Sequence, residues 1–126
     1  MTIALWCVLV AAFLPLLFTA LAKSGKGFDN AKPRDYLEHT TDWRRRSYWA
    51  HLNGFEAYPP FAAAVIIAHV IAGANETANL LAIAFIGLRL AYGACYIANL
   101  ALLRSLIWFG ATLCTVGLFV VAARAS

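Results

Sequence analysis

The sequence predicts an all-α protein, an integral membrane bundle of four helices. Of its 126 residues, 63% are hydrophobic and 13% are charged, and the mean hydropathy is +0.73. The apolar residues form runs about as long as a helix needs to cross a hydrocarbon layer, which takes about 20 residues. We therefore predict one membrane domain over residues 1–126. Its spans are residues 2–22, 43–74, 77–99 and 103–123, and its main loop is 23–42.

The first span has no charged residue between positions 1 and 22. A cleaved signal peptide is the alternative, because Ala20-Leu21-Ala22 resembles a small-x-small cleavage site. A signal peptide carries its positive charge before the apolar run, whereas here the basic residues follow it. We therefore interpret this segment as a permanent helix.

The loop after the first span sets the expected orientation, because it holds or adjoins seven of the ten basic residues. Lys and Arg near span ends stay preferentially in the cytoplasm, so we expect this loop inside and both termini outside. Pro33 favours a short helix over 33–39. The net charge of +4 comes mainly from this one loop, so it indicates membrane topology and contact with anionic lipid headgroups. No nucleic-acid-binding pattern is present. The seven residues are Lys23, Lys26, Lys32, Arg34, Arg44, Arg45 and Arg46.

Polar residues on one face open the second span. Offsets of four, three and four place them along the same side of a helix. Pro59-Pro60 removes two backbone donors just after this face, so we expect a kink and free carbonyl groups that line a cavity. The residues on the face are Trp49, Asn53, Glu56 and Pro60.

The last part of the chain must turn back on itself. Residues 77–123 contain no proline. As one helix they would reach roughly 70 Å, more than twice the ~30 Å hydrocarbon core. We place the reversal between Asn99 and Arg104, where polar groups return.

Arg89 is the one charged residue between positions 77 and 103. A guanidinium stays protonated and is costly in hydrocarbon, so it should face the protein interior or a wet cavity. Tyr92 and Tyr96 follow it at helical spacing. By helical rise from the loop side, Arg89 and Glu56 reach a similar depth, and Arg104 begins the fourth helix on that side. We expect these residues to meet the polar face of the second span around a water-accessible hollow.

The alternative to a binding site is a buried ion pair between Glu56 and Arg89 that only holds two helices together. Asn53 and the tyrosines would then serve as interhelical hydrogen-bond partners. Transmembrane bundles contain such pairs without any ligand. Arg104 has its own alternative role as an interfacial anchor.

Metal and redox chemistry are not indicated. Cys7, Cys95 and Cys114 fall in predicted spans without close pairing, so we interpret them as packing residues. No zinc site, phosphate loop or dinucleotide-binding motif can be identified.

The order of these motifs resembles the MAPEG family, the membrane-associated proteins in eicosanoid and glutathione metabolism. The resemblance covers nearly the whole chain, with four spans and a basic first loop. Asn53 and Glu56 match the family's Asn-x-x-Glu. Arg89 and Tyr96 match the arginine and second tyrosine of its third helix, and Tyr92 falls where members have tyrosine or histidine.

The beginning of the fourth span resembles one branch in particular, that of the microsomal prostaglandin E synthases and glutathione transferases. Arg104-Ser105 is similar to the pair that lies beside the glutathione thiol in that branch. Trp108 falls at an aromatic position one turn further on.

This resemblance implies a homotrimer in a bacterial inner membrane, with glutathione in each cleft between neighbouring subunits. The implied activity is that of a glutathione-dependent transferase or peroxidase acting on lipophilic electrophiles. Arg104 would stabilise the thiolate, with Ser105 as a hydrogen-bond donor. The alternative is a non-enzymatic trimer that binds a membrane lipid or uses its polar cleft for assembly. The implied glutathione-binding residues are Asn53, Glu56, Arg89, Tyr92 and Tyr96.

Overall fold

The computed structural model describes all 126 residues as five helices without a strand. The four long helices are each long and apolar enough to cross a membrane. The predicted all-helical membrane fold is therefore confirmed, and the short helix begins at Pro33 as expected. The helices are α1 (Ile3–Ala22), α2 (Pro33–His39), α3 (Asp42–Ala72), α4 (Glu76–Ile97) and α5 (Ala101–Ala125).

Local backbone chemistry sets the helix ends. Thr2 caps α1 by accepting the Leu5 N–H at 3.4 Å, and the Asn75 side chain caps α4. α3 ends at Ala72, two residues before the predicted end, because Gly73 has a φ of +70°. Glycine adopts that conformation without a steric penalty.

The turn between α4 and α5 is three residues long, from 98 to 100. Asn99 has a φ of +60°, and asparagine is one of the few residues that visit this left-handed region. The Leu100 N–H donates to the Cys95 carbonyl at 2.9 Å, which closes the end of α4. The reversal therefore falls at the beginning of the predicted interval, and Arg104 lies in the first turns of α5.

The bundle is built around α3 and α4, which pack against each other. α1 and α5 pack on opposite sides of this central pair. Phe61 of α3 and Phe85 of α4 stack in the middle, with ring centroids 3.8 Å apart and planes within 2°. The other buried core residues are mostly alanines, which let the helix backbones approach closely.

α1 fits against the central pair through two glycines. The Pro15 ring lies where a side chain at Gly54 would be, only 2.7 Å from an added Cβ, and the Phe18 ring lies likewise against Gly93. Ser47 donates to the Phe18 carbonyl at 2.7 Å. α1 thus belongs to the core, as expected for a permanent helix.

The long helix α3 extends beyond a hydrocarbon layer. Its 31 residues reach about 46 Å at 1.5 Å per residue, compared with a core of about 30 Å. Its first turns join the loop end of the bundle, where Arg46 donates to the Ile97 carbonyl at 3.1 Å. Arg45 donates to the Thr40 and Glu38 carbonyls at 2.7 and 2.8 Å. Through these hydrogen bonds to backbone carbonyls, Arg45 and Arg46 stabilise the loop end of the bundle.

Candidate functional site

The centre of the site is a side-chain contact between α3 and α4. Arg89 Nη2 donates to Asn53 Oδ1 at 2.9 Å, and Asn53 Nδ2 donates to Glu56 Oε2 at 3.2 Å. Arg89 is 4% exposed, whereas Glu56 is exposed on the surface of the single chain. The amide of Asn53 therefore links a buried cation to a surface carboxylate.

The direct ion pair between Glu56 and Arg89, which was the alternative to a binding site, does not form. No nitrogen–oxygen distance between them falls within 4.0 Å, and the chain's one ion pair at that distance joins His39 and Asp35. Asn53 occupies the space between the two charges. A closed ion pair that only holds two helices together is therefore not what the structure contains.

Two tyrosines of α4 connect this centre to α5. The Arg89 guanidinium lies over the Tyr92 ring, 4.3 Å from the ring centroid, and the Tyr92 and Tyr96 rings meet edge to face at 5.6 Å. The Arg104 guanidinium lies over the Tyr96 ring at 4.3 Å. Cations are attracted to the faces of aromatic rings, so each tyrosine holds one guanidinium. Together with Asn53 and Glu56, these residues form one continuous network.

A cleft of about 400 Å³ opens beside this network between α3, α4 and α5, and we call it the α5 cleft. Asn53, Glu56 and Arg89 form its polar end. Its remaining walls are largely apolar, with Trp108 and Phe119 contributed by α5. A ligand that fits this cleft has a polar head and an apolar body.

A second cleft of about 380 Å³ lies between α3 and α4 alone, and we call it the tyrosine cleft. Tyr92 and Tyr96 line it opposite Trp49, and it shares Asn53 and Glu56 with the α5 cleft. The two clefts therefore meet at the same amide and carboxylate.

One atom of this site has no partner. Arg89 Nη1 is buried and makes no hydrogen bond. A buried charged donor without an acceptor is costly, and unsatisfied groups of this kind mark places where a ligand or water completes the site. Arg89 lines the α5 cleft, and its positive charge suits an anionic or carbonyl oxygen of a ligand there.

The two residues at the beginning of α5 are placed differently from each other. Arg104 lines neither cleft but contacts the wall of the tyrosine cleft through Tyr96. Ser105 is exposed, and its hydroxyl donates to the Ala101 carbonyl of its own helix at 3.1 Å. The structure thus brings six of the seven candidate residues into one network and leaves Ser105 outside it.

A stripe of α5 faces the polar residues of α3, and of its four residues the sequence singled out Trp108 alone. This stripe uses offsets of four, three and four, the same spacing as the polar face of α3. In the sequence, the other indication of this stripe is the pair of threonines within an otherwise apolar helix. The residues of the stripe are Trp108, Thr112, Thr115 and Phe119, and all four line the α5 cleft.

The three cysteines, Cys7, Cys95 and Cys114, are buried and unpaired. No group of histidine, cysteine or acidic side chains is arranged to hold a metal ion.

Comparison with known families matches residues 3–124 to the MAPEG family. The chain belongs to the MAPEG family. It is therefore a multi-pass membrane protein of the glutathione and eicosanoid metabolism group, and the MAPEG family generally uses glutathione as a substrate or cofactor. No curated protein and no solved structure matches the chain significantly.

Proposed function

We propose that this MAPEG protein binds glutathione at the Asn53–Arg89 network and transfers it to lipophilic electrophiles, or uses it to reduce them. The unpartnered Nη1 of Arg89 carries this proposal. Glutathione has two carboxylates, one ammonium group, two amides and a thiol. A carboxylate on Arg89 and the ammonium group on Glu56 would place opposite charges together, with Asn53 and Tyr96 beside the amides.

Arg104 is the proposed activator of the thiol, since a cation near sulfur favours the thiolate, which is the nucleophile. Lowering a thiol pKa of ~8.5 by two units requires about 2.7 kcal/mol, which one guanidinium in a site of low dielectric supplies. Its contact with Tyr96 keeps Arg104 next to the tyrosine cleft. Ser105 is the proposed second donor to sulfur, which requires its hydroxyl to leave the Ala101 carbonyl.

The glutathione carboxylate on Arg89 is proposed to occupy the polar end of the α5 cleft, and the lipophilic second substrate the apolar part of the same cleft. Its apolar walls suit a hydrophobic body, and its polar end adjoins the tyrosine cleft through Asn53 and Glu56. Transfer of the thiolate sulfur to an electrophilic carbon forms a carbon–sulfur bond and releases the leaving group. Reduction of a hydroperoxide instead consumes two glutathione molecules and yields an alcohol, water and the disulfide.

A homotrimer is part of the proposal. Glu56 lies about 20 Å along α3 by helical rise, within the part of the helix that crosses the membrane, and a carboxylate exposed to lipid there is costly. A second copy of the chain over the two clefts would remove this cost. The number three comes from the family resemblance.

Glutathione binding to the detergent-solubilised protein tests the proposal. We expect Arg89→Ala to weaken binding at least about hundredfold, roughly 2.7 kcal/mol, and Glu56→Gln to weaken it about tenfold. Glu56 is exposed, so its substitution leaves the bundle intact and the result interpretable. Native mass spectrometry of the same samples should give three subunits.

Matched controls are available outside the site. Glu76→Gln and Arg124→Ala remove the same side-chain types at exposed positions that line neither cleft. Both should bind glutathione as the wild type does. Unchanged affinity in Glu56→Gln and Arg89→Ala would refute the proposed site and favour a lipid-binding or purely assembling trimer.

A further inference from the structure

A cavity of about 640 Å³ lies at the loop end of the bundle, between residues 25–32, α2 and the first turns of α3. It shares no lining residue with either cleft. Three cations line it, Lys26, Lys32 and Arg44, together with the carboxylates of Asp29 and Asp35. It is therefore a separate and highly polar compartment.

The cations of this cavity are not neutralised by its acids. Neither lysine nor Arg44 has a carboxylate oxygen within 4.0 Å. Asp35 pairs instead with His39 at 3.5 Å, and Asp29 accepts the Ala31 N–H at 2.8 Å in a local turn. The three cations therefore make no direct ion pair within the chain and outnumber the two acids, so they can pair with an anion from outside the chain.

Arg44 differs from the two arginines that follow it. Arg45 and Arg46 donate to backbone carbonyls, whereas Nε of Arg44 is buried without any partner. Its guanidinium lies over the Trp43 ring, 4.7 Å from the centroid. On another side, the Tyr36 hydroxyl and the Arg44 side chain occupy the space that a Cβ at Gly25 would need, with Nε only 3.0 Å from it, so glycine at that position lets Arg44 pack there. Arg44 is thus held in place while its hydrogen-bonding capacity is unused.

We infer that this cavity binds a phosphate group, supplied by a phospholipid headgroup at the loop side of the membrane. Guanidinium and ammonium groups are the usual protein partners of phosphate oxygens, with which they make short charge-assisted hydrogen bonds. The cavity adjoins the beginning of α3, where the aromatic residues Trp43, Tyr48 and Trp49 indicate the lipid–water interface. Phospholipid phosphates lie at that level, and a soluble phosphate compound is the other source of the same chemistry.

Native mass spectrometry with phosphatidylglycerol tests this inference, using Arg44→Gln and Arg34→Gln as a matched pair. Each substitution removes one arginine charge from the same loop, but Arg34 is exposed and does not line the cavity. We expect Arg44→Gln to lower the affinity for the lipid roughly fivefold, and Lys32→Ala/Arg44→Gln to lower it at least about tenfold. Arg34→Gln should retain the wild-type affinity.

Equal weakening by Arg34→Gln and Arg44→Gln would overturn the inference, because it would mean general attraction to a basic loop. Absence of binding to both phosphatidylglycerol and inorganic phosphate would also overturn it. Competition by inorganic phosphate identifies the source: displacement at a similar concentration supports a soluble phosphate compound, and persistence of the lipid supports a headgroup.

Lys32→Ala alone provides the test if Arg44→Gln fails to fold, since Lys32 is exposed. Glutathione affinity should be unchanged in all of these variants, which separates this site from the proposed glutathione site.

Discussion

The two halves of α3 on either side of Pro59-Pro60 have different surroundings. After the prolines, Phe61, Ala64, Val65 and Ala68 are each at most 1% exposed and pack in the core. Before the prolines, the helix borders two clefts and carries Asn53 and an exposed Glu56. One helix thus supplies core packing after the prolines and a face that borders the clefts before them, where its other face packs against α1.

This difference separates the free energy of unfolding from ligand affinity, two quantities that are often confounded in membrane proteins. Substitutions in the packed half should change the free energy of unfolding and leave ligand affinity alone. Substitutions in the cleft half should change ligand affinity, and they should change the free energy of unfolding only where they remove a side-chain hydrogen bond such as that of Asn53. Glutathione titration and denaturation in mixed detergent micelles measure the two quantities on the same sample.

The largest expected effect is that of Phe61→Ala in the packed half. It removes a fully buried ring stacked on Phe85 and leaves a cavity, so the free energy of unfolding should fall by about 3–5 kcal/mol. Phe109→Ala is the control, because that ring is 57% exposed on the outer surface of α5 and should cost little. A loss of glutathione affinity in folded Phe61→Ala would contradict the separation of the two halves.

Arg104→Ala should produce the next largest effect, on the state of the thiol. The ultraviolet thiolate absorbance of bound glutathione should disappear at neutral pH, a change worth about 2.7 kcal/mol for two pKa units. Affinity should remain within about tenfold, roughly 1.4 kcal/mol, because Arg104 lines neither cleft. Persistent thiolate absorbance would assign activation to another residue.

Asn53→Ala should have an intermediate effect, and it should lower both the free energy of unfolding and the glutathione affinity. It removes the one hydrogen-bond partner of the Arg89 guanidinium, which should cost about 1.5–3 kcal/mol in unfolding free energy. Glutathione affinity should fall as well, because Arg89 loses its fixed orientation. Asn53→Asp restores an acceptor for Arg89 and should recover the stability; equal losses in both variants would mean that the hydrogen bond is unimportant.

Ser105→Ala should have the smallest effect. Its hydroxyl is exposed and donates within its own helix, so unfolding free energy should change by less than about 0.5 kcal/mol. A reduction in turnover of a fewfold, with unchanged affinity, would support the proposed contact with sulfur. Turnover equal to that of the wild type would remove Ser105 from the mechanism.

Much of the fold can be predicted from sequence features that lie within a single helix. Runs of mainly apolar residues locate the four long helices, and Pro33 locates α2. The spacing of Asn53 and Glu56 on α3, and of Arg89 and the tyrosines on α4, places their side chains on particular faces. Helical geometry alone was therefore enough to gather six candidate residues at one end of the bundle.

The remaining details depend on which groups each side chain contacts, and the spacing of residues along a helix does not determine those contacts. Asn53 lies between Arg89 and Glu56 because its short amide reaches both, which no pattern specifies. Arg104 lies on the Tyr96 ring, a contact set by the three-residue turn between α4 and α5. Trp108 was singled out, but the rest of the α5 stripe was missed because its two threonines are weak signals within an apolar helix.

That short turn also limits how the molecule can move. Three residues, one of them Asn99 in a left-handed conformation, leave almost no slack for α5 to swing away from α4. We therefore expect Tyr96 and Arg104, on either side of this turn, to move together. Entry of a bulky lipophilic substrate to the α5 cleft is then expected to displace α3, or a neighbouring copy of the chain, rather than to separate α4 from α5.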